Sequence, residues 1–133
     1  MANGPEIWIY CSDFQKSLDW YSHVLGFEAR VVEPSSLAIL TFHGQEITLA
    51  LKIDPWPEKL GRLEQPYGRG LQLYFDCPNW AKLLQAVQHK GVALPRNPWS
   101  SDRDKIITEF FDLIDPDGYW LTFRGKRVPF EIN

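Results

Sequence analysis

No extended Lys/Arg run, no closely spaced cysteine pair and no long apolar stretch occurs in this chain, and each absence removes a class of function. The formal net charge is −3 and the basic residues are scattered. The clustered positive face that grips nucleic acid is therefore missing, and no nucleic-acid partner is expected. Nothing approaches the roughly 18 apolar residues of a membrane span. Met1 to Pro5 carries no basic stretch leading into an apolar one, so the expectation is a cytoplasmic protein with no membrane partner. The only cysteines, Cys11 and Cys77, lack a C-x-x-C spacing and a neighbouring Cys/His cluster. Reduced packing residues are favoured over a disulfide or a zinc site.

What the chain has in quantity is aromatic: 6 Trp, 5 Tyr and 8 Phe in 133 residues. The 44% hydrophobic content suits one globular domain. Trp56, Tyr67 and Trp99 fall in Pro-rich stretches that read as loops. Such residues either cover the sheet ends or a subunit interface, or stack on a flat ligand.

The chain also states one plan twice. A strand over 6–10 leads to Asp13, a helix-period stretch (Phe14, Leu18, Tyr21, Val24, Leu25) and then Gly26-Phe27. Later, Leu71, Leu73 and Phe75 lead to Asp76, a second helix-period stretch (Trp80, Leu83, Leu84, Val87) and Gly91-Val92. Asp13 is placed to cap the first helix, and Gly26 to end it with the positive φ that glycine tolerates. Strands follow over 27–32, 37–42 and 45–53, the last two joined at His43-Gly44, a hairpin signal. In the second half strands are expected over 70–75, 92–95, 106–114 and 119–124, with a helix over 78–90. A polar loop is expected over 96–104, and Asp115-Pro116-Asp117-Gly118 reads as a turn. A half of this size has little surface to bury alone. The expectation is therefore one α+β domain over 1–133: a βαβββ module over 6–53, a linker over 54–69, a second module over 70–125 and a tail over 126–133.

Ser12-Asp13-Phe14 with Ser17-Leu18-Asp19-Trp20-Tyr21, Leu25-Gly26-Phe27 and the later Asp115-Pro116-Asp117-Gly118 resembles the vicinal-oxygen-chelate superfamily. Its members include glyoxalase I, fosfomycin-resistance transferases, extradiol dioxygenases and bleomycin-resistance binding proteins. The resemblance spans about 6–124. It implies two βαβββ modules, each curling its sheet into a half-cone with helices outside, a ligand cavity within the cones and, in many members, a homodimer. It also implies that the enzymatic members hold a divalent metal at one position on the first and one on the last strand of each module.

Those positions read here as Glu6, Thr48, Gly70 and Thr122. Leu71, Leu73 and Phe75 are taken to pack under the helix, which turns Gly70, Gln72 and Tyr74 to the cavity. A catalytic divalent site usually needs three donors from His, Asp, Glu or Cys, and this set offers one. His23 and His89, late in the helices, and His43, in a hairpin, read as outward and solvated. No metal, cofactor or catalytic residue is expected. The expected cavity wall is Glu6, Trp8, Tyr10, Thr48, Lys52, Gln72, Tyr74, Phe110, Asp112, Trp120, Thr122 and Arg124, with Trp56 and Trp99 from the loops. A wall of aromatics with a few placed polar groups fits a flat organic ligand. The expected function is therefore metal-independent sequestration of a bulky, flat aromatic, cationic small molecule by a homodimer, similar to the bleomycin-resistance group. The alternatives are a metal-dependent enzyme of the same superfamily with its ligands elsewhere, and a dimer whose cavity is filled by side chains.

Overall fold

Asp13 begins the first helix as its spacing predicts: its carboxylate accepts from the Lys16 N–H at 3.1 Å, satisfying a first-turn donor. From such local rules a computed structural model, which describes residues 5–51, 63–103 and 106–127, assembles two copies of one unit. The first holds β1 (Trp8–Cys11), α1 (Phe14–Asp19) with a π-helical continuation (Trp20–Val24), β2 (Glu28–Glu33), β3 (Leu37–Phe42) and β4 (Gln45–Leu51). The second holds β5 (Gln72–Asp76), α2 (Trp80–His89), β6 (Trp99–Arg103), β7 (Ile106–Ile114) and β8 (Trp120–Arg127). The sheets run β1-β4-β3-β2 and β5-β8-β7-β6, each mixed because the first strand of a unit lies parallel to its last. This is the α+β fold of two βαβββ modules.

The main correction concerns β6. Val92 to Pro95 was expected to be a strand and the polar stretch after it a loop, yet Trp99–Arg103 is the strand. Val92 and Leu94 instead pack against the core from the turn after α2. An edge strand needs no apolar period, and Trp-Ser-Ser-Asp-Arg is largely exposed, as edge strands tolerate. Trp99 is thus a strand residue. Smaller corrections follow the same logic. Glu6 precedes β1, Gly70 precedes β5, and β8 extends through Lys126 and Arg127, which were expected in the tail. Lys52, Trp56 and most of the expected linker lie outside the described residues.

The modules are joined by rings and by one buried clasp. Phe42 of β3 meets Phe75 of β5 at 5.9 Å and Phe123 of β8 at 5.4 Å between ring centroids. Gln45 reads the backbone of Asp76 twice, donating to its carbonyl at 2.9 Å and accepting from its N–H at 2.7 Å. The clasp is the Asp115–Gly118 turn, which is no ordinary surface turn: Asp115 and Asp117 are 5% and 1% exposed. Asp117 accepts from the Ser12 N–H and hydroxyl, from Ser17 and from Gln65. Asp115 accepts from the Tyr21 phenol at 2.7 Å and from the N–H groups of Asp117 and Tyr119. Burial nonetheless pushes the Asp115 carboxyl above the ordinary aspartate value. The turn closes only with glycine at its end: Gly118 has φ +92°, and an added Cβ would fall 2.3 Å from Cβ of Pro66.

Removing a carboxylate that satisfies several buried donors leaves them all unpaired. Asp117→Ala is therefore expected to cost about 3 kcal/mol in urea unfolding, against about 1 kcal/mol for Asp13→Ala, which removes a single exposed cap. Equal losses would contradict the clasp.

Candidate functional site

Each sheet has one face committed to the core. In the second, Leu73, Phe75, Phe111, Leu113, Leu121 and Phe123 point inward and are nearly or fully buried. Alternation then sends Gln72, Tyr74, Phe110, Asp112, Ile114, Trp120, Thr122 and Arg124 to the opposite face. A cavity of about 680 Å³ opens there. Its lining includes Arg69, Leu71, Gln72, Arg96, Ile114 and Trp120, a volume and an apolar-with-few-polar mixture ordinary for a small-molecule site.

Behind this lining lies a chain of hydrogen bonds. Gln72 Nε2 donates to Thr122 Oγ1 at 2.8 Å, and Thr122 donates onward to Asp112 Oδ1 at 2.6 Å. The second carboxylate oxygen of Asp112 receives Arg96 Nε and, at 3.3 Å, Trp99 Nε1. Trp120 Nε1 is buried near the same carboxylate, close enough to favour its charge but without hydrogen-bond geometry. Burial alone would raise the Asp112 pKa. The donors, led by Arg96 and Thr122, outweigh it and hold the group below the ordinary aspartate value. Asp112 is thus a fixed anion 0% exposed, not an available base.

Arg96 acts as a lid over this anion. Its guanidinium carbon stands 4.6 Å from the Trp99 ring centre and 5.8 Å from that of Trp120. Trp99 in turn stacks on its cross-strand partner Phe110 at 3.9 Å and 12°. Further along the face, Arg124 pairs with Asp76 at 2.6 Å and lies 5.6 Å from the Tyr74 ring.

The expected wall therefore divides. Gln72 and Trp120 line the cavity, Asp112 and Thr122 form its buried support, and Trp99 roofs that support. Tyr74, Phe110 and Arg124 share the face beside it. Glu6, Trp8, Tyr10 and Thr48 belong to the first module and line none of this cavity. There Trp8 donates to Glu6 at 3.1 Å and is 45% exposed, and Tyr10 is half-buried. Leu71, expected beneath the helix, is 40% exposed and lines the cavity, because the alternation begins only at β5. Arg69 and Arg96 were not singled out as site residues. A buried Asp112 needs a cation, and that requirement was the one signal pointing toward Arg96.

The metal positions also need one correction. Parallel pairing sets Trp8 opposite Thr48 and Tyr74 opposite Thr122, and the helix-capping positions Asp13 and Asn79 lie equally far beyond. The counterpart of Glu6 is therefore Gln72, not Gly70. The set Glu6, Thr48, Gln72 and Thr122 does not suit a catalytic divalent ion: it has one carboxylate, already accepting from Trp8, and a Gln–Thr pair bonded to each other. Among the described residues no group of three or more His, Cys, Asp or Glu could hold a metal. His23, His43 and His89 are exposed. Burial pushes the Cys11 thiol up to about 12, helped by Asp117, and Cys77 to about 11, so neither offers a thiolate nucleophile near neutrality.

A model of the glyoxalase/bleomycin resistance protein/dioxygenase superfamily matches residues 5–123. The fold is similar to a glyoxalase/bleomycin resistance protein/dioxygenase from Alicyclobacillus acidocaldarius, with 21% identity over 92% of this chain and 90% of that one and a TM-score of 0.65. It is similar to a virulence protein from Salmonella typhimurium, with 18% identity over 94% and 97% and a TM-score of 0.70. It is also similar to a lactoylglutathione lyase from Agrobacterium tumefaciens, with 14% identity over 94% of each chain and a TM-score of 0.66. At these identities the likeness is one of fold. A search among curated protein sequences finds no match.

Because the folded-state pKa of Asp112 is depressed, its contribution to stability is present above the ordinary aspartate value of 3.8 and disappears as pH falls through the folded value below it. Asp112→Asn is expected to cost about 2 kcal/mol near pH 7, less than for a fully buried pair because Arg96 is half-exposed. Urea midpoints of the two proteins should converge as pH is lowered past that window. A gap that stays constant would remove the ion pair from the account.

Proposed function

The chain belongs to the glyoxalase/bleomycin resistance protein/dioxygenase superfamily, and from that membership we propose that it is a metal-independent binding protein holding a flat aromatic small molecule against its second sheet. The observation that carries this reading is the state of the four inherited metal positions. Thr122 and Gln72 are bonded to each other and to the support of Asp112, and Glu6 and Thr48 alone cannot hold a catalytic ion. In place of an ion the second module has an apolar cavity walled by Trp120, Ile114 and Leu71. The competing reading, a metal-dependent lyase, transferase or dioxygenase, lacks donors among the described residues.

The reading includes a homodimer in the cytoplasm. Two buried free thiols suit a reducing compartment. Trp8, Val31, Val32 and Tyr74 are each more than two-fifths exposed, and β1, β2, β5 and β6 are edge strands. Both features call for a covering surface, and a second copy supplies one.

Elemental analysis of protein purified without chelator is expected to find less than about 0.1 equivalent of zinc, nickel, manganese or iron, since fewer than three donors give no tight site. Near-stoichiometric metal that is lost in Glu6→Ala would defeat the reading. Sedimentation equilibrium should give twice the 15.5 kDa chain mass; a monomer at all concentrations would remove the dimer.

A further inference from the structure

A site built for an organic cation leaves aromatic faces free, because the cation is attracted to the ring quadrupole. Here the protein has filled those seats itself. Arg96 stands over Trp99 and Trp120, and Arg124 over Tyr74. The lining carries Arg69 and Arg96, and among the described residues no carboxylate lines the cavity. Asp112, behind it, is fully buried and bonded to Arg96. Among the described residues, two guanidinium charges against one carboxylate leave the site one unit positive, in a chain whose formal net charge is −3. A ligand cation entering here would meet like charge, the arrangement that excludes a wrong partner.

We infer that the ligand of this cavity is an anionic arene, an aromatic ring bearing a carboxylate or similar planar acid, selected by Arg96 and Arg69. The inference rests on the binding reading above and replaces the cationic ligand expected from the sequence. Arg96 uses Nε for Asp112 and its side chain is 47% exposed, so the terminal amines are left for a planar acid in the two-pronged geometry that guanidinium favours. Phe110, Trp99 and the Arg96 guanidinium already form a pile of flat groups. Trp120, Ile114 and Leu71 supply the apolar wall against which a ring can lie. Asp112 has a defined part in this: it neutralises half of the positive charge and holds Arg96 in place before any ligand arrives, so less side-chain ordering remains for binding to impose.

The test is isothermal titration calorimetry of the full chain at low salt with probes of one shape and different charge: 2-naphthoate, 2-naphthamide and 2-naphthylmethylammonium. Naphthoate is expected to bind at least roughly tenfold more tightly than the amide, and the ammonium compound most weakly. Arg69→Gln should weaken naphthoate by roughly tenfold and leave the amide nearly unchanged. Arg96→Lys keeps a counter-charge for Asp112, and so the fold, but replaces the planar fork with a point charge. It should likewise lose roughly tenfold for naphthoate, with circular dichroism confirming that the protein is folded. An amide equal to naphthoate, or an ammonium probe that binds most tightly, overturns the charge selection while the binding reading stands. Silence from all of them overturns both.

Discussion

Two aspartates that ought to be a surface turn hold this molecule together. Asp115 and Asp117 are buried in the second module, yet their oxygens receive donors from the start and middle of the first helical segment, Ser12, Ser17 and Tyr21. The Ser12–Tyr21 segment and the Asp115–Gly118 turn, widely separated in the chain, thus meet in space as one hydrogen-bonded unit. Desolvating two carboxylates is costly, and only dense satisfaction by neighbouring donors makes it tolerable. The Phe42, Phe75 and Phe123 rings, the Gln45 reading of Asp76 and the Lys90 ammonium on the His23 carbonyl add further contacts between the modules.

Where the chain obeys local rules, its fold was legible. The helix start at Asp13, the hairpin at His43-Gly44 and the limits of β3 and β7 follow from capping, turn chemistry and period-2 alternation. What escaped was settled by tertiary context. β6 is an edge strand with almost no apolar content, so nothing in Trp99 to Arg103 distinguishes it from a loop, while the apolar Val92 and Leu94 that mimic a strand are packing from a turn. The offset between the modules was misjudged at Gly70 because Asp76 ends a strand, whereas its apparent counterpart Asp13 caps a helix.

The site shows the same division. The alternation placed Gln72, Asp112, Trp120 and Thr122 on one face from sequence alone. It was silent about Arg69 and Arg96, whose positions depend on how irregular segments fold back over the sheet. Two modules of one design have consequently diverged in chemistry. The first leaves Trp8 open and Tyr10 half-covered, whereas the second buries an ion pair under stacked rings. The hydroxyl of Thr122, at a position where relatives are expected to bind a cation, here relays a hydrogen bond to a buried anion.

The double reading of Asp76 by Gln45 has a mechanical consequence. It ties the start of β4 to the end of β5 through two hydrogen bonds of opposite sense, so the two sheets cannot slide past each other at this point without breaking both. Arg96 is tethered in a similar way, by Nε to Asp112, while nearly half of its side chain stays exposed, so the charge it presents to the cavity keeps one direction.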